Sequence, residues 1–457
     1  MSIQFDVAIV GAGFAGIACA SALLRRNPAL KIVLLDPAPK LPAGLPFAGA
    51  RPEHLLNVPA DQMSLDSARP LDFCDYLAKH ELAQYGNVGK VAIRNVFAPR
   101  ALYCEYVRTV FKQAQHDATA AGGQVKPMRV QVSQITRVDK RYLISGTPGD
   151  GAAGANVHVS APQVILALGA GEYKSIVRHP LWHRGPWRLN ALPVHTPGDT
   201  ALIIGSGLTG VDSAQTLHRL GWQGAIKMLS PNARLPAANF ARALAVWQLT
   251  PNFVQHCQTP RQFLQALRAE LGRARAEGVD WRAVLNALRS ITAEIFVSWT
   301  PRQRTAVVRR AGSLWGTHRH RMPPSVAALI DALKSSGKLC LVRGRFIDVT
   351  VCSADALQVR VSADGGAAST QDCALVIDAR GPNYRTTDWP LVMKMIDAGL
   401  LKASLTGFGL YVDTDGRVGE NIYTLGVVTY GERLETMAVP EIRQQAERIA
   451  ELIIASF

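Results

Sequence analysis

Six glycines, in two groups of three, have the spacing to cradle a diphosphate. Gly11-Ala12-Gly13-Phe14-Ala15-Gly16 follows the apolar run Val7–Val10, and Gly205-Ser206-Gly207-Leu208-Thr209-Gly210 follows Ala201–Ile204. In a G-x-G-x-x-G turn the first glycine makes the tight turn and the second lets backbone approach a pyrophosphate. The third lets the next helix pack on the strand. The anion then sits at the helix N-terminus, where free N–H groups point at it. One such string is weak evidence because glycine turns are common. Two in strand–turn–helix context predict two dinucleotide sites.

The strand after each helix decides what the ribose meets. Lys31–Asp36 ends in Asp36, about 20 residues beyond the glycines, where a carboxylate accepts from both ribose hydroxyls. The second copy has no such acid, since Ala225–Leu229 runs into Ser230 and then Arg234. Arg234 is either a solvated loop charge or a contact to a 2′-phosphate, and the latter would favour NADPH over NADH.

The elements that must hold these turns are legible in outline. Residues 1–36 read as a βαβ unit and 41–67, rich in proline and glycine, as an irregular excursion. Helices are expected around 70–85 and 100–121, β runs near 128–138 and 157–159, and a flexible hairpin tip over 146–156. A buried strand from Val164 ends in Gly169 and Gly171, returning the chain to the first unit. A second unit starts near Pro193. A helical insert from about Asn239 to Lys334 interrupts it, with Phe263, Leu264, Ala266, Leu267 and Leu271 at core-facing spacing. β segments follow over 339–351 and 357–361, then a buried strand over 374–378 and a closing helix with Pro440 in its first turn. The expected fold is α/β, with two Rossmann-type dinucleotide-binding domains and a helical insert in the second. The expected division is 1–192 for the first part of the first domain, 193–338 for the second domain, and 339–457 for the return to the first.

At 457 residues and 48% hydrophobic, the chain can bury two or three cores. It has no run of about 18 uninterrupted apolar residues, and it opens on a strand rather than a charged leader. A cytoplasmic protein without membrane contact is expected. Cysteines 19, 74, 104, 257, 340, 352 and 373 form no C-x-x-C and no metal cluster, so they read as small buried hydrophobes. Disulfide reductases that join a flavin fingerprint to a nicotinamide fingerprint need a redox cysteine pair to pass electrons onward. Without one, electrons must leave another way, most simply to oxygen.

The formal charge of +15 is uneven. Residues 300–345 hold Arg302, Arg304, Arg309, Arg310, Arg319, Arg321, Lys334, Lys338, Arg343 and Arg345 against the single acid Asp331. Aromatics for stacking bases are scarce there, so nucleic acid is not the expected partner. Anionic cofactors and a small anionic substrate account better for the excess.

Several strings together resemble a family: Leu55–Ala60, Phe97–Tyr103, Leu208–Asp212, Trp315–Pro324, Gly381-Pro382 and Thr436–Arg443. They are similar, over nearly the whole chain, to the FAD/NAD(P)-binding flavin monooxygenases that include FAD-dependent urate hydroxylase and the nitrosuccinate-forming aspartate N-oxygenase. Relatives often carry Ser-Arg-Arg-Gly where this chain has Ser230-Pro231-Asn232-Ala233, which leaves NADH and NADPH both open. The resemblance implies FAD at the first fingerprint and NAD(P)H at the second. It also implies Asn57 and Val58 near the isoalloxazine, Arg100 and Tyr103 along the FAD flank, and Gly426-Val427 backbone brought to the flavin. For Asn57 the alternative is a turn residue before Pro59.

The implied reaction is monooxygenation, with molecular oxygen delivered from a flavin hydroperoxide to a small anionic substrate. It needs neither a metal nor a protein nucleophile, and no catalytic residue is identified. Urate C5 hydroxylation to 5-hydroxyisourate leads. N-hydroxylation of an amino acid or amine such as aspartate is the enzyme alternative, and a flavoprotein passing electrons to a macromolecular partner is the alternative of another class. On a helix, His318 and Arg321 would share a face. They either cap it before Pro323-Pro324 or steer an anion into the inter-domain cleft.

Overall fold

The computed structural model describes residues 3–38, 41–42, 44, 47, 49–80, 93–149, 156–170, 175–240, 244–362, 366, 368–381 and 384–457. Most of the expected hairpin tip, with Gly171 and Pro382, lies outside the described residues.

The first domain opens with β1 (Ile3–Gln4), β2 (Val7–Val10), α1 (Phe14–Arg26) and β3 (Lys31–Asp36). All four residues of β2 are buried, as befits a parallel strand covered on both faces. There follow α2 (Asp72–His80), α3 (Arg100–Ala120), the long antiparallel strands β4 (Gln124–Val138) and β5 (Arg141–Pro148), then β6 (Val157–Ala161) and β7 (Gln163–Leu166).

The second domain contains β8 (Trp182–Arg184), β9 (Thr200–Ile204), α4 (Leu208–Arg219) and β10 (Ala225–Ser230). The insert supplies α5 (Pro260–Ala276), α6 (Trp281–Ala287), α7 (Thr292–Ser298) and α8 (Pro301–Arg319), after which α9 (Pro324–Ser335) returns to the sheet. α8 starts at a capping box in which the Thr300 hydroxyl accepts from the Gln303 N–H and the Gln303 side chain from the Thr300 N–H. Next come β11 (Leu339–Arg343), β12 (Arg345–Ser353), β13 (Ala356–Ser362), β14 (Ala368–Cys373) and β15 (Leu375–Asp378). The chain ends in α10 (Pro390–Asp397), β16 (Arg417–Gly419), β17 (Ile422–Thr424) and α11 (Val439–Ile454).

Nine strands form the first sheet in the order β1-β6-β5-β4-β3-β2-β7-β17-β16. One face is covered by α1, α3 and α11 around Ile17, Leu23, Tyr103 and Ile449. The other packs on α10 through Trp389, Val392 and Met395. The second sheet has the order β11-β10-β9-β15-β8, with all neighbouring pairs parallel. α4 and α9 cover one face through Val211, Leu217 and Ile330, and the β12-β13-β14 sheet covers the other through Leu357 and Val359. The insert has its own core around Phe263, Phe296 and Trp299. No helix among the described residues is long and apolar enough to cross a membrane.

Two expectations need correction. The return to the first domain does not begin at 339, because β11 pairs with β10 and β15 with β9, and β8 joins this sheet ahead of 193. A short apolar run carries a strand's type but not the sheet that receives it. Cys340 and Cys352 are exposed, although the other five cysteines are buried. Both lie on edge strands, β11 and β12, where one flank has no neighbour.

Candidate active site

The glycines of each fingerprint divide into two kinds. Gly11 has φ +101°, and a Cβ there would lie 2.2 Å from the Ala167 carbonyl oxygen; Gly205 has φ +113°, and its Cβ would lie 2.6 Å from that of Ala379. The third glycines, Gly16 and Gly210, would place a Cβ 2.0 and 2.2 Å from the carbonyl oxygens of Gly11 and Gly205. These four are required by the protein's own backbone. The middle glycines are not. A Cβ on Gly13 would meet nothing nearer than 3.6 Å and one on Gly207 nothing within 4 Å. Both are N-caps without a side-chain cap, so first-turn N–H groups remain free behind an open approach. That is the space and polarity a diphosphate needs.

Around the first turn, Ala12 N donates to Asp36 Oδ2 at 2.8 Å and Ala38 N to Oδ1 at 2.9 Å. One backbone donor per oxygen fixes the carboxylate and leaves lone pairs for a ribose. Phe14 is buried and Ala15 half-buried on the first turn of α1. Gly169 (φ +61°) has open space where a Cβ would stand. Gly426 (φ +76°) donates its N–H to Gln445 Oε1, with half-buried Val427 beside it.

At the second turn, Thr209 lies in the first turn of α4, and its carbonyl accepts from Ser213 Oγ. Ser206 Oγ donates to the Arg234 carbonyl at 2.6 Å and lies 2.7 Å from Ser230 Oγ. Ser206 Oγ is the donor to Ser230 as well, so its one proton is shared between the two acceptors, and the Ser230 hydroxyl ties the turn to β10. The Arg234 side chain is exposed.

Two expected flank residues have other work. Arg100 spends its guanidinium on Asp212 and on the Leu55 carbonyl, a tie between the two domains. Tyr103 is fully buried among Phe14, Phe47, Phe73 and Tyr106. It packs the turn from behind and does not line it. The resemblance implied both for the FAD flank, but a shared string does not show the side toward which a residue points.

Asn57, Val58 and Pro59 open onto a cavity of about 380 Å³. Its far walls come from the insert and the loop before it: Asn239, Trp247, Asn286, Arg289 and the run Arg319–Arg321. Arg319 pairs with Glu435 and Glu441. Arg289 pairs with Glu441 and donates to Gln62. Arg321 is different. It is 6% exposed, its Nη2 donates to Asn286 Oδ1 at 2.5 Å, and its Nε and Nη1 are buried without a partner among the described residues. Burial, with the Arg319 and Arg282 charges, pushes its pKa down to about 10, so it remains a cation at neutral pH. A buried charge without an ion pair costs several kcal/mol, which the Asp280 charge offsets only in part, so Arg321 is a candidate for binding an anion. Burial and the Arg319 charge push His320 down to about 4, leaving a neutral ring.

His318 does not belong to this site. It is exposed, with Nδ1 3.0 Å from the Leu314 carbonyl and its ring edge-on to Trp281. α8 ends at Arg319, and His320 leaves the helix at φ −99°, ψ 82°, so helical spacing no longer relates 318 to 321. The basic stretch is not one surface either. Arg304 pairs with Glu432 in the interior, and Arg319 and Arg321 are buried. Sequence reasoning missed Asp61, Asn286 and His320, all in the cavity wall. Asp61 and Asn286 lie outside the strings that carry the resemblance, and His320, inside Trp315–Pro324, was not singled out there as a site residue.

The model of a FAD-NAD(P)-binding family matches residues 8–171. No curated protein matches the sequence. Among solved structures, the reduced form of ornithine hydroxylase from Pseudomonas aeruginosa aligns with TM-score 0.66 at 16% identity over 99% of each chain. The FAD-bound cadaverine monooxygenase from Erwinia amylovora aligns with TM-score 0.67 at 12% identity, over 100% of this chain and 95% of its own. L-lysine 6-monooxygenase from Pseudomonas syringae aligns with TM-score 0.64 at 17% identity over 99% of each. The fold and its two open fingerprints define a two-dinucleotide flavoprotein. Its cofactors are FAD and NAD(P)H.

Proposed function

We propose that the protein is an NAD(P)H-dependent flavin monooxygenase that hydroxylates the nitrogen of a small amine bearing an anionic group. The observation that carries this reading is Arg321, a buried guanidinium with two unpaired nitrogens in the cavity that reaches Asn57–Pro59. Structures it aligns with along nearly its full length include an ornithine hydroxylase, a cadaverine monooxygenase and an L-lysine 6-monooxygenase at TM-scores of 0.64–0.67, above the 0.53–0.55 of the bacillithiol disulfide reductases that align over the same length. Urate C5 hydroxylation would use the same cation but has no such support.

FAD, once reduced by NAD(P)H, supplies activated oxygen. The chain's own part is to bind, orient and exclude water. Arg321 and Asn286 hold the anionic end by charge-assisted and neutral hydrogen bonds. Asn57–Pro59 form the wall on the cofactor side, and Phe97, Leu244 and Trp247 give apolar surface that keeps water from the reacting nitrogen. Positioning is the protein's main contribution.

The test is turnover of the FAD-loaded protein with NAD(P)H, oxygen and separately L-ornithine, L-lysine, cadaverine, L-aspartate and urate. Expected is one hydroxylamine formed per NAD(P)H oxidised with an amine, with little peroxide. Coupled loss of the urate absorbance band, with every amine inert, would overturn the proposal.

A further inference from the structure

Among the described residues, the cavity wall carries four ionisable side chains that stay charged near neutral pH or can do so: Asp61, Arg289, Arg319 and Arg321. Two are neutralised within the protein. Arg289 and Arg319 share Glu441, and Arg319 also takes Glu435 in both oxygens. The remaining two are one cation and one anion, each with atoms buried and unpartnered among the described residues: Nε and Nη1 of Arg321, and Oδ1 of Asp61. They come from different parts of the molecule. Asp61 lies in the 3₁₀ turn Ala60–Gln62 of the first domain, directly after Asn57–Pro59, whereas Arg321 follows α8 in the second.

We infer that the cavity recognises both ends of a zwitterion, with Arg321 taking a carboxylate and Asp61 an ammonium group. This rests on the proposed function for its consequence, that the amine at the cofactor side is the one to react. A buried charge left alone is costly, and a ligand with the opposite charge removes that cost. Burial raises the Asp61 carboxyl above its ordinary value against the opposing charge of Arg94, the condition of an acid awaiting a counter-ion. One free cation and one free anion match a ligand with one carboxylate and one cationic nitrogen. Among the described residues the wall offers no second free cation for the second anion of a dicarboxylate, and urate has no cationic end for Asp61. The preferred class is therefore an amino acid whose carboxylate and reacting amine lie at opposite ends of a short chain. Selectivity here comes as much from the unpaired charge a wrong ligand leaves as from the contacts of the right one.

Three probes of equal chain length isolate charge from shape: 5-aminopentanoate, cadaverine and glutarate. Binding to the oxidised, FAD-loaded protein is read from the flavin absorbance and by calorimetry, without NAD(P)H. 5-Aminopentanoate is expected to bind at least ~10-fold tighter than either homologue, as one charge-assisted contact is worth about 1.5–3 kcal/mol. Asp61→Asn should weaken it ~10-fold or more while improving glutarate, Arg321→Gln should weaken it while improving cadaverine, and Asp61→Glu should restore part of the loss. Glutarate as the tightest ligand, or 5-aminopentanoate unaffected by Asp61→Asn, would overturn the inference, and the unsubstituted protein alone decides the first. Binding in this order without hydroxylation would refute the reaction and not the recognition. Hydroxylation of amines with no charge preference would do the reverse.

Discussion

Arg100, in the first turn of α3, reaches across the domain boundary to Asp212 on α4, with Nη1 2.6 Å from Oδ2 and Nη2 3.2 Å from Oδ1. The Arg100 N–H donates to the His54 carbonyl, and His54 Nε2 lies 2.9 Å from Thr216 Oγ1, also on α4. The segment leading to Asn57 is thereby fixed to the helix that begins beside Gly207. The segment before Asn57 and the second glycine turn are mechanically connected.

Breaking that pair should cost stability and hydride delivery together. Arg100→Leu leaves the Asp212 carboxylate, 5% exposed, without its partner, a loss of ~3–5 kcal/mol for a buried pair. Chemical denaturation measures the first effect and stopped-flow reduction of the flavin by NAD(P)H the second. Parental values for both would show that the bridge only decorates the interface.

The open middle glycines allow a contrast inside each fingerprint. Gly13→Val should fold yet purify without the yellow flavin spectrum, and Gly207→Val should keep FAD yet lose reduction by NAD(P)H. Gly11→Ala, at positive φ and in collision with Ala167, should instead destabilise the fold by at least ~1–3 kcal/mol. If Gly13→Val retained normal FAD, the space in front of that turn would not be the pyrophosphate site.

Arg321 gives binding a definite pH dependence. Its folded-state pKa, about 10, lies below the ordinary 12.5, so its buried charge costs stability at every pH below about 10. A bound anion offsets that cost. Carboxylate probes should raise Tm near neutral pH, bind evenly from about pH 7 to 9, and weaken about tenfold per unit once Arg321 deprotonates. Arg321→Gln should raise the substrate KM by ~10-fold or more and leave substrate-free flavin reduction nearly unchanged. A KM that did not move would remove Arg321 from the site.

Arg234 tests the choice of nicotinamide. Exposed beside the second turn, it can meet a 2′-phosphate through charge-assisted hydrogen bonds. Arg234→Ala should raise the KM for NADPH by ~10-fold and that for NADH by less than about twofold. Equal effects on both would place the side chain away from the 2′ position.

The fingerprints were fully legible because their chemistry is local. A turn, a strand end and the next acid lie within one βαβ unit, so the tight turn at Gly11, the helix packing at Gly16 and the place of Asp36 beside that turn could be read from spacing alone. The second turn was equally clear, as was the helical insert, whose apolar spacing is periodic. Arg321 was found as an anion-steering candidate from residue type in a basic run, although the helical argument that coupled it to His318 failed where α8 ends.

What the sequence could not hold is which distant groups neutralise one another. Ten basic residues between 300 and 345 look alike in the chain. Only packing against 432–441 consumes Arg304 and Arg319 and leaves Arg321 with bare nitrogens. The same holds for Arg100, claimed by Asp212, and for Asp61, whose meaning appears when the insert closes a cavity over it. Local backbone geometry is written in short spacings, whereas an unpaired charge is a property of everything folded around it, and that was decided by the tertiary structure alone.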